Sequence, residues 1–91
     1  MQPDDIELMT ELAASFEGAG EWEKAEAEYR RALAIDPEDG DVRVALGRVL
    51  LRRGDRAGAR REAAGALKVQ PGSPGAESLL HRADAAEGAG Q

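Results

Sequence analysis

Apolar side chains recur every three or four positions along most of the chain, which is the spacing of one face of an α-helix. In the first such stretch they include Ile6, Met9 and Phe16, with polar residues between them. The pattern predicts five helices, at about residues 4–18, 22–35, 38–53, 55–69 and 73–87. No stretch competes as a strand, and connections of about two to four residues make consecutive helices antiparallel neighbours.

The same features return at an interval of 34 residues. Leucine does so at positions 12, 46 and 80, glycine at 20, 54 and 88, and proline at 37 and 71. Glycine and proline end helices, and side chains that cap helix starts stand at Asp4 or Asp5, Asp55 and Ser73. A fixed period of this length indicates a stack of like helical hairpins, each of which buries its apolar face against its neighbours.

Within each period the residues follow one pattern. The first unit reads Met9-x2-Leu12-Ala13-x2-Phe16, Ala25-x3-Tyr29, Ala32 and Pro37, and the second reads Arg43-x2-Leu46-Gly47-x2-Leu50, Ala59-x3-Ala63, Ala66 and Pro71. This pattern resembles the tetratricopeptide repeat, a pair of antiparallel helices named A and B. The resemblance implies an all-α fold, a right-handed α-solenoid of antiparallel helix pairs with five helices in a single domain, residues 1–91.

The implied units are a first repeat at about residues 6–39, a second at about 40–73, and a half repeat or capping helix at about 74–88. Small residues are expected where helices approach closely, and large ones, Leu12 and Leu46 among them, are expected to fill the space between helices. In the last helix, polar residues replace the large and small positions of the pattern, namely Glu77, His81 and Asp84. They predict a solvated cap at the end of the array.

The resemblance also implies a binding surface, because the A helices of this family line a concave groove that holds an extended peptide or a partner helix. The matching positions here are Glu7, Thr10, Glu11, Ala14, Glu17, Asp41, Val44, Ala45, Arg48, Leu51, Arg52, Ser78, Leu79, Arg82 and Ala85. The three arginines are expected to gather at one end and the glutamates to make the other end negative, which suits a ligand with an acidic and a basic part. The alternative is that the arginines pair with carboxylates of neighbouring helices.

The implied function is that of an adaptor or scaffold whose partner is a protein or peptide, with an acidic segment or a C-terminal carboxylate suited to the arginines. One subset of the family clamps the carboxylate of a chaperone peptide with Lys, Asn and Arg side chains from successive A helices. The matching positions here hold Thr10, Ala14, Ala45, Gly75 and Leu79. None of these suits a carboxylate, so chaperone docking is not expected.

The charge distribution points to a second class of function. The net charge is −6, but residues 1–41 carry −10 and residues 42–91 carry +4. An acidic chain does not bind nucleic acid through bulk electrostatics. Two halves of opposite charge favour weak head-to-tail self-association as a structural element, and salt would weaken such an assembly.

The sequence gives little support for catalysis or metal binding, and neither an enzyme nor a cofactor is expected. The chain has no cysteine and one histidine, and its serines lie in no nucleophile motif. Glu77, His81 and Asp84 share a helical face and are of metal-ligand types, but such a trio on an exposed helix lacks a fourth ligand, so the polar cap is the preferred interpretation. No apolar run approaches the ~18 residues of a membrane span, and the acidic N-terminus is unlike a secretory signal. A cytoplasmic location is therefore expected.

Overall fold

The computed structural model describes residues 5–89, with the side chains of residues 5–85. This part of the chain forms five α-helices and no strand. The helices are α1 (Ile6–Gly18), α2 (Trp22–Ile35), α3 (Gly40–Arg52), α4 (Arg56–Val69) and α5 (Pro74–Ala89). The all-α class and the predicted helices are confirmed, and each predicted bound lies within about two residues of the observed one.

Four helices begin at a side chain that accepts a hydrogen bond from the backbone N–H three residues later. The capping residues are Asp5, Asp39, Asp55 and Ser73, with distances of 3.2, 3.1, 2.8 and 3.3 Å. Three of them are predicted caps; Asp4, the alternative to Asp5, lies outside the described residues. Asp39 corrects the predicted start of α3, because the helix begins after this cap and not at Glu38.

The turns after α1 and α3 are built alike, 34 residues apart. Gly20 and Gly54 have φ angles of 76° and 89°, in the left-handed region that glycine adopts without a Cβ penalty. The residue after each glycine donates its N–H to a carbonyl near the helix end, Phe16 or Leu50, at 2.8 Å. These turns send α2 and α4 back along the helices that precede them.

Each helix packs against the next one along the chain, and α3 also contacts α5. The α1–α2 and α3–α4 hairpins therefore lie side by side, and α5 covers the second hairpin. This is the α-solenoid that the sequence period predicts. Within the described residues, every helix is too short or too polar to cross a membrane.

The helices approach closely because small residues lie where they meet. The fully buried alanines are Ala13, Ala25, Ala32, Ala59, Ala63, Ala66, Ala76 and Ala83. Gly47 is so near to α4 and α5 that a Cβ built on it falls 2.4 Å from a methyl group of Leu79 and 3.4 Å from the carbonyl oxygen of Ala59. Among larger side chains, Leu46, Val49 and Leu79 are the most completely buried. The predicted division into small and large positions is confirmed at Ala13, Ala25, Ala32, Gly47 and Leu46.

Two predicted positions are wrong. Leu12, predicted to fill the core, is 44% exposed, because no described helix covers the side of α1 that corresponds to the buried side of α3 at Leu46. Leu79, which the repeat register places in the groove, is 1% exposed, because it packs against Gly47 where α3 meets α5.

The outer face of α5 is polar. Glu77, His81 and Asp84 are exposed, as the polar-cap interpretation requires, and Arg60 of α4 donates to Asp84 at 3.0 Å. The described residues contain no group of three side chains placed to hold a metal ion. This face of the array meets solvent with charged and polar side chains.

Candidate peptide-binding groove

A cavity of about 530 Å³ opens between the N-terminal halves of α1 and α3. Its lining residues are Ile6, Glu7, Thr10, Tyr29, Asp39, Asp41, Val42 and Ala45. Four of them, Glu7, Thr10, Asp41 and Ala45, are at positions that the repeat register assigns to the groove. The two A helices therefore bring acidic and apolar side chains together around one concave site.

The cavity combines aliphatic surface with carboxylates. Ile6, Val42 and Ala45 contribute the aliphatic surface, while Glu7 and Asp41 lie in the first turns of their helices. The positive end of the helix dipole stabilises carboxylates at such positions. Neither of the two forms an ion pair with another described residue. The cavity can accept an aliphatic side chain whose far end carries a positive charge, as that of lysine or arginine does.

Tyr29, whose side chain also lines the cavity, belongs to a polar contact that joins three helices. Its hydroxyl donates to Oε2 of Glu17, and Arg48 donates to the same oxygen at 3.3 Å. Glu17 is largely buried, with 17% of its side chain exposed. The expected charge separation is therefore wrong at this point, since Glu17 lies against Arg48 and not at a separate negative end. Arg48 instead pairs with a carboxylate of a neighbouring helix, which is the stated alternative for the groove arginines.

Burial raises the pKa of Tyr29 well above its usual value of about 10, and the hydrogen bond to Glu17 raises it further. The unfolded chain ionises its tyrosine near pH ~10, so the stability due to this group is present below that pH and is lost as the pH rises above it. Tyr29 is the only tyrosine in the chain. In an alkaline titration we expect tyrosinate absorbance to appear only as the helical circular dichroism is lost.

The variant Tyr29→Phe serves as the control for this titration. It keeps the Glu17–Arg48 pair but lacks the ionisable hydroxyl, so it should lose about 1–2 kcal/mol at neutral pH. It should also lose the part of the alkaline destabilisation that Tyr29 causes. Tyrosinate that forms near pH ~10 while the helices remain intact would show that the hydroxyl is accessible to solvent.

The other two groove arginines keep their charge available. Arg52 lies over the indole of Trp22, with its guanidinium carbon 5.5 Å from the ring centre, in a cation–π contact. Arg82 is exposed on α5. Neither of them forms an ion pair within the described part of the chain. Their gathering with Arg48 at one end of the groove stays a prediction.

The remaining predicted groove residues lie outside the cavity. Val44 and Leu51 are half-buried and pack against the core. The exposed ones are Glu11 and Ala14 on α1, and Ser78 and Ala85 on α5. Among the predicted positions, the cavity is therefore lined by Glu7, Thr10, Asp41 and Ala45.

The repeat register does not assign Ile6, Tyr29, Asp39 or Val42 to the groove. Asp39 carries a readable signal, since an aspartate before the apolar run of α3 is a favoured helix cap. Ile6 and Tyr29 occupy positions where the helical pattern predicts core. A side chain at the margin of the core can also line a cavity, and the helical pattern of apolar residues does not distinguish a core residue from a cavity-lining one.

The arrangement matches solved structures of helical repeats. The first TPR of Spaghetti (RPAP3), bound to an HSP90 peptide, has a TM-score of 0.89 at 17% identity, over 96% of this chain and 69% of that one. The Yersinia enterocolitica type III secretion chaperone SycD, in complex with a peptide of the translocator YopD, has a TM-score of 0.81 at 18% identity, over 92% and 70%. PcrH, in complex with the chaperone-binding region of PopD, has 0.73 at 24% identity, over 97% and 66%. These likenesses establish the fold.

A similarity in sequence points the same way. The chain is 42% identical over 67 residues to the cellulose synthase operon protein C of Pseudomonas fluorescens strain SBW25. The match takes in 74% of this chain but 5% of the length of that protein. The sequence profile of the tetratricopeptide repeat matches residues 16–83. With its 34-residue period, its stacked hairpins and this match over most of its length, the chain belongs to the tetratricopeptide repeat family.

Proposed function

We propose that this chain is a protein-interaction module, an adaptor that holds a peptide in the groove lined by α1, α3 and α5. The observation that carries the proposal is the cavity between α1 and α3, where apolar surface and unpaired carboxylates face the same space. Peptide ligands are present in the similar structures of RPAP3 and SycD, which supports the same class of ligand here.

The ligand we propose carries a lysine or arginine for this cavity. Its aliphatic stem packs on Ile6 and Val42, and its charge lies near Glu7 and Asp41. Two exposed charges about 4 Å apart attract by about 1 kcal/mol in water. Burial of one methylene contributes about 0.8 kcal/mol. Stem and charge are therefore of similar weight, and a side chain that has both is favoured over one that has either alone.

The acidic part of the ligand, an acidic segment or a C-terminal carboxylate, is assigned to Arg52 and Arg82. Both lack an ion-pair partner among the described residues. Arg48 is the weaker candidate, because a ligand carboxylate would have to compete with Glu17 for it. A peptide with separated basic and acidic groups thus meets both kinds of free charge in the groove.

Synthetic peptides of about ten residues test the ligand chemistry. A lysine peptide with a free C-terminal carboxylate is compared with a norleucine version, which keeps the stem without the charge, and with an amidated version. We expect each lost charge to weaken binding by roughly threefold to tenfold, as a partly exposed ion pair contributes about 0.5–1 kcal/mol or slightly more. Fluorescence anisotropy of labelled peptides measures the affinities.

Variants of the protein assign the effect to the cavity. Asp41→Asn keeps the shape of the side chain, so it should weaken the lysine peptide and leave the norleucine peptide unchanged. Glu77→Gln removes the same charge from the exposed polar face of α5 and serves as the matched control. Equal affinity of the lysine and norleucine peptides for the unmodified chain would contradict the role of the acidic cavity.

A further inference from the structure

Helix α1 carries an apolar strip that no described helix covers. Leu8 and Leu12, one helical turn apart, are 45% and 44% exposed. We call the strip formed by these two side chains the Leu8–Leu12 edge. The edge lies away from the cavity, whose α1 residues are Ile6, Glu7 and Thr10.

The same positions are covered in the other helices of like register. The residues 34 positions later, Val42 and Leu46 of α3, are 4% and 0% exposed. Another 34 positions along the chain, the equivalent residues of α5 are Ala76 and Leu80. Ala76 is fully buried, and Leu80 is partly buried against the core. Equivalent side chains are therefore buried in α3 and buried or partly buried in α5, and α1 alone of the three leaves both of them exposed.

The contacts of α3 identify what covers this edge. Arg53, the C-cap residue directly after α3, follows Leu46 by seven residues and so lies on the same side as Leu46. It donates to Glu26 and, at 3.4 Å, to Glu23, both on α2. Gly47, on another side of α3, meets α4 and α5 instead. The element that covers the α3 edge is thus the second helix of the preceding hairpin, and the interfaces are continuous along the array.

The charges on α1 indicate which kind of helix can bind the Leu8–Leu12 edge. Helix α1 holds Glu7, Glu11 and Glu17 and no basic residue. Glu11 is exposed beside the edge and forms no ion pair with a described residue. A second copy docked through its own α1 would place like charges opposite one another. A basic amphipathic helix can pack its apolar side on the leucines and place its positive charges near the carboxylates of α1.

We propose that the Leu8–Leu12 edge binds an amphipathic helix of a partner protein that is basic and presents small residues to the leucines. Small residues are inferred because alanines dominate the buried positions of the two helices that perform this role inside the chain, α2 and α4. Leucine against alanine lets two helices approach closely. This site is separate from the groove and does not depend on the function proposed for it.

A labelled peptide of residues 56–69, the α4 sequence, is a suitable probe. It holds four basic residues and one acidic residue, and seven of its residues are alanine or glycine. Its fluorescence anisotropy is measured with the full chain at peptide and protein concentrations up to about millimolar, because ordering a free helix lowers its affinity. Binding should weaken as salt rises toward 0.3 M (about twice the physiological ionic strength).

Two double variants decide the site. Leu8→Gln with Leu12→Gln should weaken peptide binding by at least about tenfold, while circular dichroism shows the fold intact. Ile35→Gln with Val69→Gln changes side chains of similar exposure, 41% and 39%, elsewhere on the surface and should leave binding unchanged. Equal effects of the two double variants, or no binding by the unmodified chain, would overturn the proposal. So would sedimentation that shows the chain alone forming a dimer through these leucines, since the occupant would then be a second copy.

Discussion

Replacing Leu46 with alanine is expected to lower the free energy of unfolding by about 3 kcal/mol, while the same change at Leu12 lowers it by less than about 1 kcal/mol. The two leucines hold the same position in their repeats. Leu46 is fully buried, so its truncation removes packing contacts and leaves a cavity. Leu12 is 44% exposed, and water occupies the space that its side chain vacates.

Urea unfolding followed by circular dichroism measures both losses. The dependence of the free energy on urea concentration should stay the same in each variant, because the surface exposed on unfolding hardly changes. Equal losses at Leu12 and Leu46 would show that Leu12 is covered in solution, contrary to the exposure seen here.

Gly47→Leu is expected to destabilise the chain by about 3 kcal/mol or more. An added Cβ at this position lies 2.4 Å from Leu79 Cδ2 and 3.3 Å from Glu62 Cβ. The end of the Leu79 side chain can move, but a whole leucine at this position has to push α3 away from both α4 and α5. Helices that meet through glycine have no spare volume between them, because protein interiors are close-packed.

Gly18→Leu is the matched control for this variant. It lies at the end of α1, and a Cβ added there has no neighbouring side chain or other helix within 4 Å. The double variant Gly47→Leu with Leu79→Ala should recover part of the loss, since it removes the first clash and the two changes are coupled. Thermal or urea unfolding of the three variants checks the expectation. A loss at Gly47→Leu as small as that at Gly18→Leu would mean that the helices are farther apart.

The architecture is readable from the sequence because its signals are local and occur more than once. Glycine at 20 and 54 marks turns that need a positive φ, and both turns have it. Asp55 and Ser73 stand one residue before their helices and cap them. Each of these features depends on a few neighbouring residues, so the one-dimensional pattern contains the information that places it.

Whether equivalent residues of different repeats are buried is harder to predict from the sequence, because burial depends on which helix lies alongside. Leu12 and Leu46 fit the pattern equally, and their exposures differ only because α2 precedes α3 whereas no described helix precedes α1. Leu79 matches a groove position by register but is drawn inward by the space at Gly47. The repeat pattern describes an average unit and does not record a unit's place in the array.

The sequence predicts which residues share the surface of the candidate site, but it does not predict which charged side chains pair with each other. The register assigns Glu7, Thr10, Asp41 and Ala45 to one groove, and their side chains line one cavity. It left open whether the groove arginines pair with carboxylates of neighbouring helices, and it did not identify Glu17 as the partner of Arg48, 31 residues away. Long charged side chains reach several partners from one backbone position, and their choice depends on packing that the sequence does not rank.

The pattern of helix contacts has a consequence for how the chain reaches its structure during synthesis. Helix α1 packs mainly against α2, and the main contacts of α5 are with α3 and α4. Closing a short loop costs little entropy, and contacts between near neighbours in sequence form quickly. The α1–α2 hairpin can therefore assemble as it leaves the ribosome, and each later helix adds to a surface that is already in place.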